Sequence, residues 1–109
     1  MAIEESTSDW KLKLRYGKIR TPFKHFTAIA DGEVEALVDG FSCPAGPAIM
    51  AIKTWSSGPD ETADMVVAIG RQIGFSANGK IEIYETEPEQ PPGQNPHGYS
   101  IHFTPYARG

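Results

Sequence analysis

SSGPDETADMVVAIGRQIGF, residues 56–75, carries a complete set of helix signals. Ser57 or Gly58 stands at the N-cap, and Pro59 follows at the first helical position, where its missing N–H removes nothing. Asp60, Glu61 and Asp64 occupy the first turns, where the helix dipole favours negative charge. Met65, Val66, Ile69 and Ile73 line one side at helical spacing. Gly74 is a natural stop just past the end. Gly70 costs about 1 kcal/mol relative to alanine inside a helix, and close packing of that helix on a sheet explains its presence. The spacing predicts a helix over residues 59–73.

Everything around that helix reads as strand. WKLKLRY, residues 10–16, alternates: Trp10, Leu12, Leu14 and Tyr16 on one side, Lys11, Lys13 and Arg15 on the other. Gly17 marks a bend, and Pro22 interrupts the ladder, so a second strand is expected over 23–30. Asp31–Gly32 is a hairpin-type dipeptide between apolar runs, with a third strand over 33–38. CPAGPA is a stiff loop into a buried strand over 48–55. After the helix, Asn78–Gly79 reads as a turn before a strand over 80–86, with Ile81 and Ile83 on one face and Glu82 and Tyr84 on the other. The last strand, 99–104, sets Tyr99, Ile101 and Phe103 against Ser100, His102 and Thr104. The order is β-β-β-β-α-β-β. It implies an α+β fold, a mainly antiparallel sheet of five to six strands with one helix packed on one face.

One helix is about 10–12 Å across and strands lie about 4.8 Å apart, so a single helix covers two or three strands. A sheet of five or six strands needs a further cover. ETEPEQPPGQNPHGYS, residues 85–100, supplies one candidate, a proline-dense flap over 88–98 between the last two strands. A second copy of the chain supplies another, and a homodimer is therefore expected.

The chain has 109 residues and a formal charge of −4. That is one domain, able to bury roughly 60–65% of its unfolded surface. Residues 1–8 read as a tail and 9–107 as the domain. The charge argues against a generic nucleic-acid binder. The single cysteine, Cys43, excludes an intrachain disulfide and suits a reducing cytoplasm. No run of about 20 apolar residues is present to span a membrane, and the acidic start of the chain lacks the apolar core of a signal peptide.

Four constellations invite a chemical reading. Six of the ten basic residues fall between Lys11 and Lys24 with no acid among them. Lys11, Lys13 and Arg15 on one strand face could track a phosphate backbone, or simply pair with Glu33, Glu35 or Glu82 across the sheet. His97 and His102, five apart, do not have the ligand number or spacing of a metal site. Glu82, Tyr84 and His102 would share one face if the last two strands pair, forming a carboxylate–imidazole couple. The Pro88–Pro91 spacing suggests a polyproline ligand, but Glu85, Glu87 and Glu89 lack the usual basic partner and instead suit a cationic ligand beside Tyr84 and Tyr99. No nucleophile elbow, phosphate loop or His-Glu-x-x-His occurs. No stretch resembles a family of known activity, and no cofactor or metal is implied.

The expected function is a non-enzymatic binding or protein-interaction module that self-associates. Its contact residues would be Glu82, Tyr84, Pro91, Pro92, His97, Tyr99 and His102. The alternatives are a small-molecule sensor or enzyme with a pocket between helix and sheet, and a weak nucleic-acid binder through the basic first strand.

Overall fold

The computed structural model describes residues 9–106; the expected tail, 1–8, lies outside the described residues. The elements are α1 (Asp9–Arg15), β1 (Lys24–Val34), β2 (Gly46–Ser56), α2 (Pro59–Ile73), β3 (Phe75–Ser76), β4 (Ile81–Glu85) and β5 (His97–Pro105). The fold is α+β, with an open, five-stranded antiparallel sheet and the long helix on one face. Helix α2 has the bounds its sequence predicts, with Pro59 in its first turn and Gly74 closing it in the left-handed conformation.

Three local readings change. Residues 10–16 form helix α1, not a strand. Their alternation also fits a helix, because Trp10 and Leu14 are one turn apart and both half-buried. Lys, Leu and Arg are strong helix formers, and Gly17, at φ 75°, ends the turn as a strand residue would not. Lys11, Lys13 and Arg15 therefore do not form a basic strand face; Lys11 and Arg15 share one side of a helix and Lys13 lies elsewhere around it.

Asp31–Gly32 is not a turn. Strand β1 runs straight through it and pairs with β2 over eleven positions, from Lys24–Ser56 to Val34–Gly46. The glycine serves close approach: a Cβ on Gly32 would lie 2.0 Å from the Ser76 carbonyl oxygen and 2.7 Å from the Phe75 ring. The chain then leaves the sheet after Val34, so of the strand expected over 33–38 the first two residues end β1 and 35–38 are a loop at the end of α2, where Glu35 N–H and Val38 N–H donate to the Gly74 and Ile73 carbonyls.

Asn78–Gly79, which reads as a turn before a strand, lies in a bulge of the sheet edge. Strands β3 and β4 both pair with the same edge of β1, and the residues between them bow out. Asp31 closes the bulge, donating its N–H to the Lys80 carbonyl (2.9 Å) and accepting from Gly79 N–H (3.0 Å). The sheet is thus only four positions wide: the β3–β4 edge, β1, β2 and β5. That width lets α2 cover the inner face.

The core follows. Ala28, Ala30, Val34, Ala48, Met50, Ile52, Val66 and Phe75 are buried between sheet and helix, flanked by Ile69, Ile73, Ile81, Ile83, Ile101 and Phe103. Small alanines on the strands let the helix approach. Gly70 does the same from the helix side: its Cβ would sit 3.0 Å from the Phe75 carbonyl. The helix stripe is centred one step from the expected one, because buried Thr62 belongs to it. Its hydroxyl is matched by Thr54 Oγ1 (2.9 Å) and Ser56 Oγ (2.7 Å), so the polar group carries no unpaired cost. Among the described residues no helix is long and apolar enough to cross a membrane.

Candidate functional site

Among the described residues, no helix packs on the face of the sheet opposite α2. Strand register fixes its side chains row by row. Thr86 lies beside the row His25, Trp55, His97; next come Tyr84, Thr27, Lys53 and Tyr99; then Glu82, Ile29, Ala51 and His102; then Asp31, Ile49 and Thr104. Tyr99 joins this face, away from Ile101 and Phe103, because the β2–β5 register shifts between Ala51 and Lys53. Ser100, at φ 56°, absorbs the extra residue. Unbroken alternation of the last strand does not hold here.

The proline-rich loop crosses one end of this face. Strand β4 ends beside β1 and β5 starts beside β2, so residues 86–96 must pass over the ends of both central strands. Side chains from the sheet fasten it. Trp55 Nε1–H donates to the Gln90 carbonyl (2.9 Å). Tyr99 Oη accepts from Glu89 N–H (2.9 Å) and Gln90 N–H (3.3 Å). Lys53 donates to Glu89 (2.7 Å), which holds that carboxyl below the usual range.

His25 sits beneath, 4% exposed, with Nδ1 3.1 Å from both the Thr86 carbonyl and its hydroxyl, and Nε2 2.6 Å from Tyr99 Oη. A carbonyl can only accept, so Nδ1 carries the proton and Nε2 accepts from the tyrosine. Burial lowers the His25 pKa, consistent with this neutral tautomer. Trp55 packs edge-on to the imidazole at 5.1 Å. With both ring nitrogens bonded and little of its surface exposed, His25 fastens the loop to the sheet end.

The far end of the face is open. Ile29 and Ile49 floor a hollow of about 290 Å³, walled by Asp31, Lys80, Glu82 and Tyr106. Tyr106 Oη donates to Asp31, and Tyr84 Oη donates to Glu82. The latter bond, with Lys80 3.6 Å from Glu82, lowers the Glu82 pKa and raises that of Tyr84. Ile29 and Tyr84 remain 36% and 49% exposed.

The expected contact residues therefore divide. His97 and Tyr99 lie with the loop over the sheet end, where Tyr99 is buried and His97 half-buried. Pro91 is exposed and Pro92 half-buried in the loop itself. Glu82 lines the hollow on the β4 edge, and Tyr84 stands one row away, bonded to Glu82. His102 is in the same row as Glu82, but three strand steps, about 14 Å, separate them. The last two strands do not pair, so the carboxylate–imidazole couple does not form. His102 contacts Ser100 Oγ instead (3.4 Å). His97 and His102 are four positions apart along β2, about 13 Å. The hollow lies on the uncovered face, not between helix and sheet.

Sequence reading missed His25, Lys53, Trp55, Asp31 and Tyr106. The first three alternate with core residues on β1 and β2, and their role exists only once residues 86–96 lie over them. A pattern of histidine and tryptophan at outward positions of buried strands was the available signal. Comparison with known proteins finds no family model, no curated protein and no solved structure that matches this chain.

Proposed function

We propose that the protein is a non-enzymatic binding module that works through the uncovered sheet face and associates with itself there. The carrying observation is the exposure of Ile29 at an apolar-floored hollow, and of Tyr84 bonded to Glu82 of its rim, on a face that no other layer covers among the described residues. Apolar surface of this kind, rimmed by polar groups, is typical of contact sites. The loop-capped end of the same face is closed by hydrogen bonds, which confines the reading to the open half. Velocity sedimentation of the wild type and of Ile29→Lys tests it: the variant should sediment as a smaller species than the wild type. Identical sedimentation of the two would remove the face from the interaction.

A second reading has one observation in its favour. The hollow, at about 290 Å³, is at the lower end of the size of small-molecule pockets, with two carboxylates, an ammonium and a phenol at its rim. Shifts of Ile29 and Ile49 methyl NMR signals on adding fragment-sized organic cations would favour that reading, and unmoved methyls would leave self-association alone.

A further inference from the structure

Charge is unevenly divided along this chain. Residues 25–106 hold eleven of its fourteen acidic residues but only three of its ten basic ones, whereas residues 11–24 hold six basic residues and no acid. The basic segment contains α1, whose backbone stands apart from the strands and from α2. It lies beside the acidic lip, where Lys11, Leu14 and Arg15 line a shallow cleft with Glu87 and Pro88. Lys11 is near enough for its charge to favour ionised Glu89. Two of its apolar side chains stay in solvent: Leu12 is 49% and Tyr16 72% exposed. The molecule thus carries a basic segment with exposed Leu12 and Tyr16, and an apolar hollow whose rim holds two carboxylates, Asp31 and Glu82, against one cation, Lys80.

We infer that the two fit each other across a two-fold axis: the α1 segment of one copy docks on the open sheet face of a second copy, and receives that copy's α1 in return. This rests on the self-association proposed above and names its partner surface. Leu12 and Tyr16, one turn apart, enter the hollow over Ile29 and Ile49. Lys11 and Arg15, one turn apart on the adjoining stripe, meet Asp31 and Glu82. The hollow begins about 13 Å along β1 from His25, beyond the loop-covered end where the chain's own α1 lies. Opposing two faces head to tail brings each α1 over the other copy's hollow, which is the reciprocal contact of a two-fold interface. The closeness of a hydrophobic anchor to opposite charges gives both affinity and orientation.

A charge swap tests it. Lys11→Glu/Arg15→Glu reverses the segment, and Asp31→Asn/Glu82→Lys reverses the rim while leaving Asp31's position an acceptor for Tyr106. Each variant alone should lose the dimer by light scattering, with an association at least about a hundredfold weaker. Mixed in equal amounts, they should regain it as a heterodimer, because both reciprocal contacts are then complementary. Raising salt from about 0.05 to 0.5 M should weaken the wild-type dimer. Urea midpoints of the separate variants check that each remains folded. A segment-reversed variant that dimerises like the wild type would overturn the inference while leaving self-association through another surface intact. A wild type that is monomeric throughout would remove both. Failure of the mixture to recover, with both variants folded, also counts against the docking.

Discussion

Removing one oxygen atom, by Tyr99→Phe, should measure how firmly the proline-rich crossover is fixed. That hydroxyl donates to His25 Nε2 at 2.6 Å and accepts the Glu89 and Gln90 amides at 2.9 and 3.3 Å. The ring stays, so burial of apolar surface is unchanged. Lost with the oxygen is the partner of a buried imidazole nitrogen, a penalty of about 1–3 kcal/mol, together with at least one amide bond of about 1 kcal/mol. The Gln90 amide, at the longest distance, contributes least. A total near 2–4 kcal/mol follows. With a urea dependence of about 1–1.5 kcal/mol per molar for a chain of this size, the unfolding midpoint should fall by about 2 M. Amides of residues 86–96 should also exchange with deuterium faster than those of β1 and β2. Tyr84→Phe is the control, since its hydroxyl bonds only the exposed Glu82; its midpoint should not move. Equal, small effects in the two variants would refute the reasoning, because the hub would then contribute no more than a surface bond.

Three further outcomes are expected. Gly32→Asn should destabilise by about 3 kcal/mol or more in urea unfolding, because any Cβ there strikes the β3 backbone; a tolerated asparagine would instead support a turn at that position. Thr62→Val should cost about 1–3 kcal/mol despite its matched shape, since it strips a partner from both Thr54 and Ser56, and a neutral or stabilising result would contradict the buried hydroxyl cluster. The folded pKa of His25 lies below its ordinary value of 6.5, so the unfolded chain takes up that proton first. The stability linked to this residue is therefore full above pH 6.5 and lost progressively as pH falls below it. Thermal midpoints from pH 7.5 to 5 should show a loss in the wild type that His25→Gln lacks, and parallel pH profiles would rule it out.

Much of the architecture was legible. Residues 56–75 specify the bounds of their helix through Pro59, the acidic first turn and the Gly74 stop acting together, and packing shifted only the centre of the buried stripe, towards Thr62. Isoleucines 81 and 83 declared the inner face of β4 by strict alternation. Residues 10–16 misled because a seven-residue segment with apolar residues at every second position also places two of them one helical turn apart, and period alone does not separate the two. Asp31–Gly32 and Asn78–Gly79 misled together. Each has the chemistry of a turn, yet in the fold they face one another across the bulge, one glycine admitting a neighbouring strand and one lying beside Asp31. The site was less legible, because its members come from four strands and a loop. Glu82 and Tyr84 were visible as outward residues of β4, and the loop's position over a sheet end followed from its place between the last two strands. Strand order was hidden, and strand order is what separates His102 from Glu82 and brings His25 under Tyr99.

The open sheet face as a surface of self-association is tested most directly by the molar mass in solution, from light scattering across about a hundredfold range of concentration. A mass rising to twice the 11.9 kDa of the chain, and falling back for Ile29→Lys, is the expected result. A mass that stays at 11.9 kDa at every concentration would contradict it.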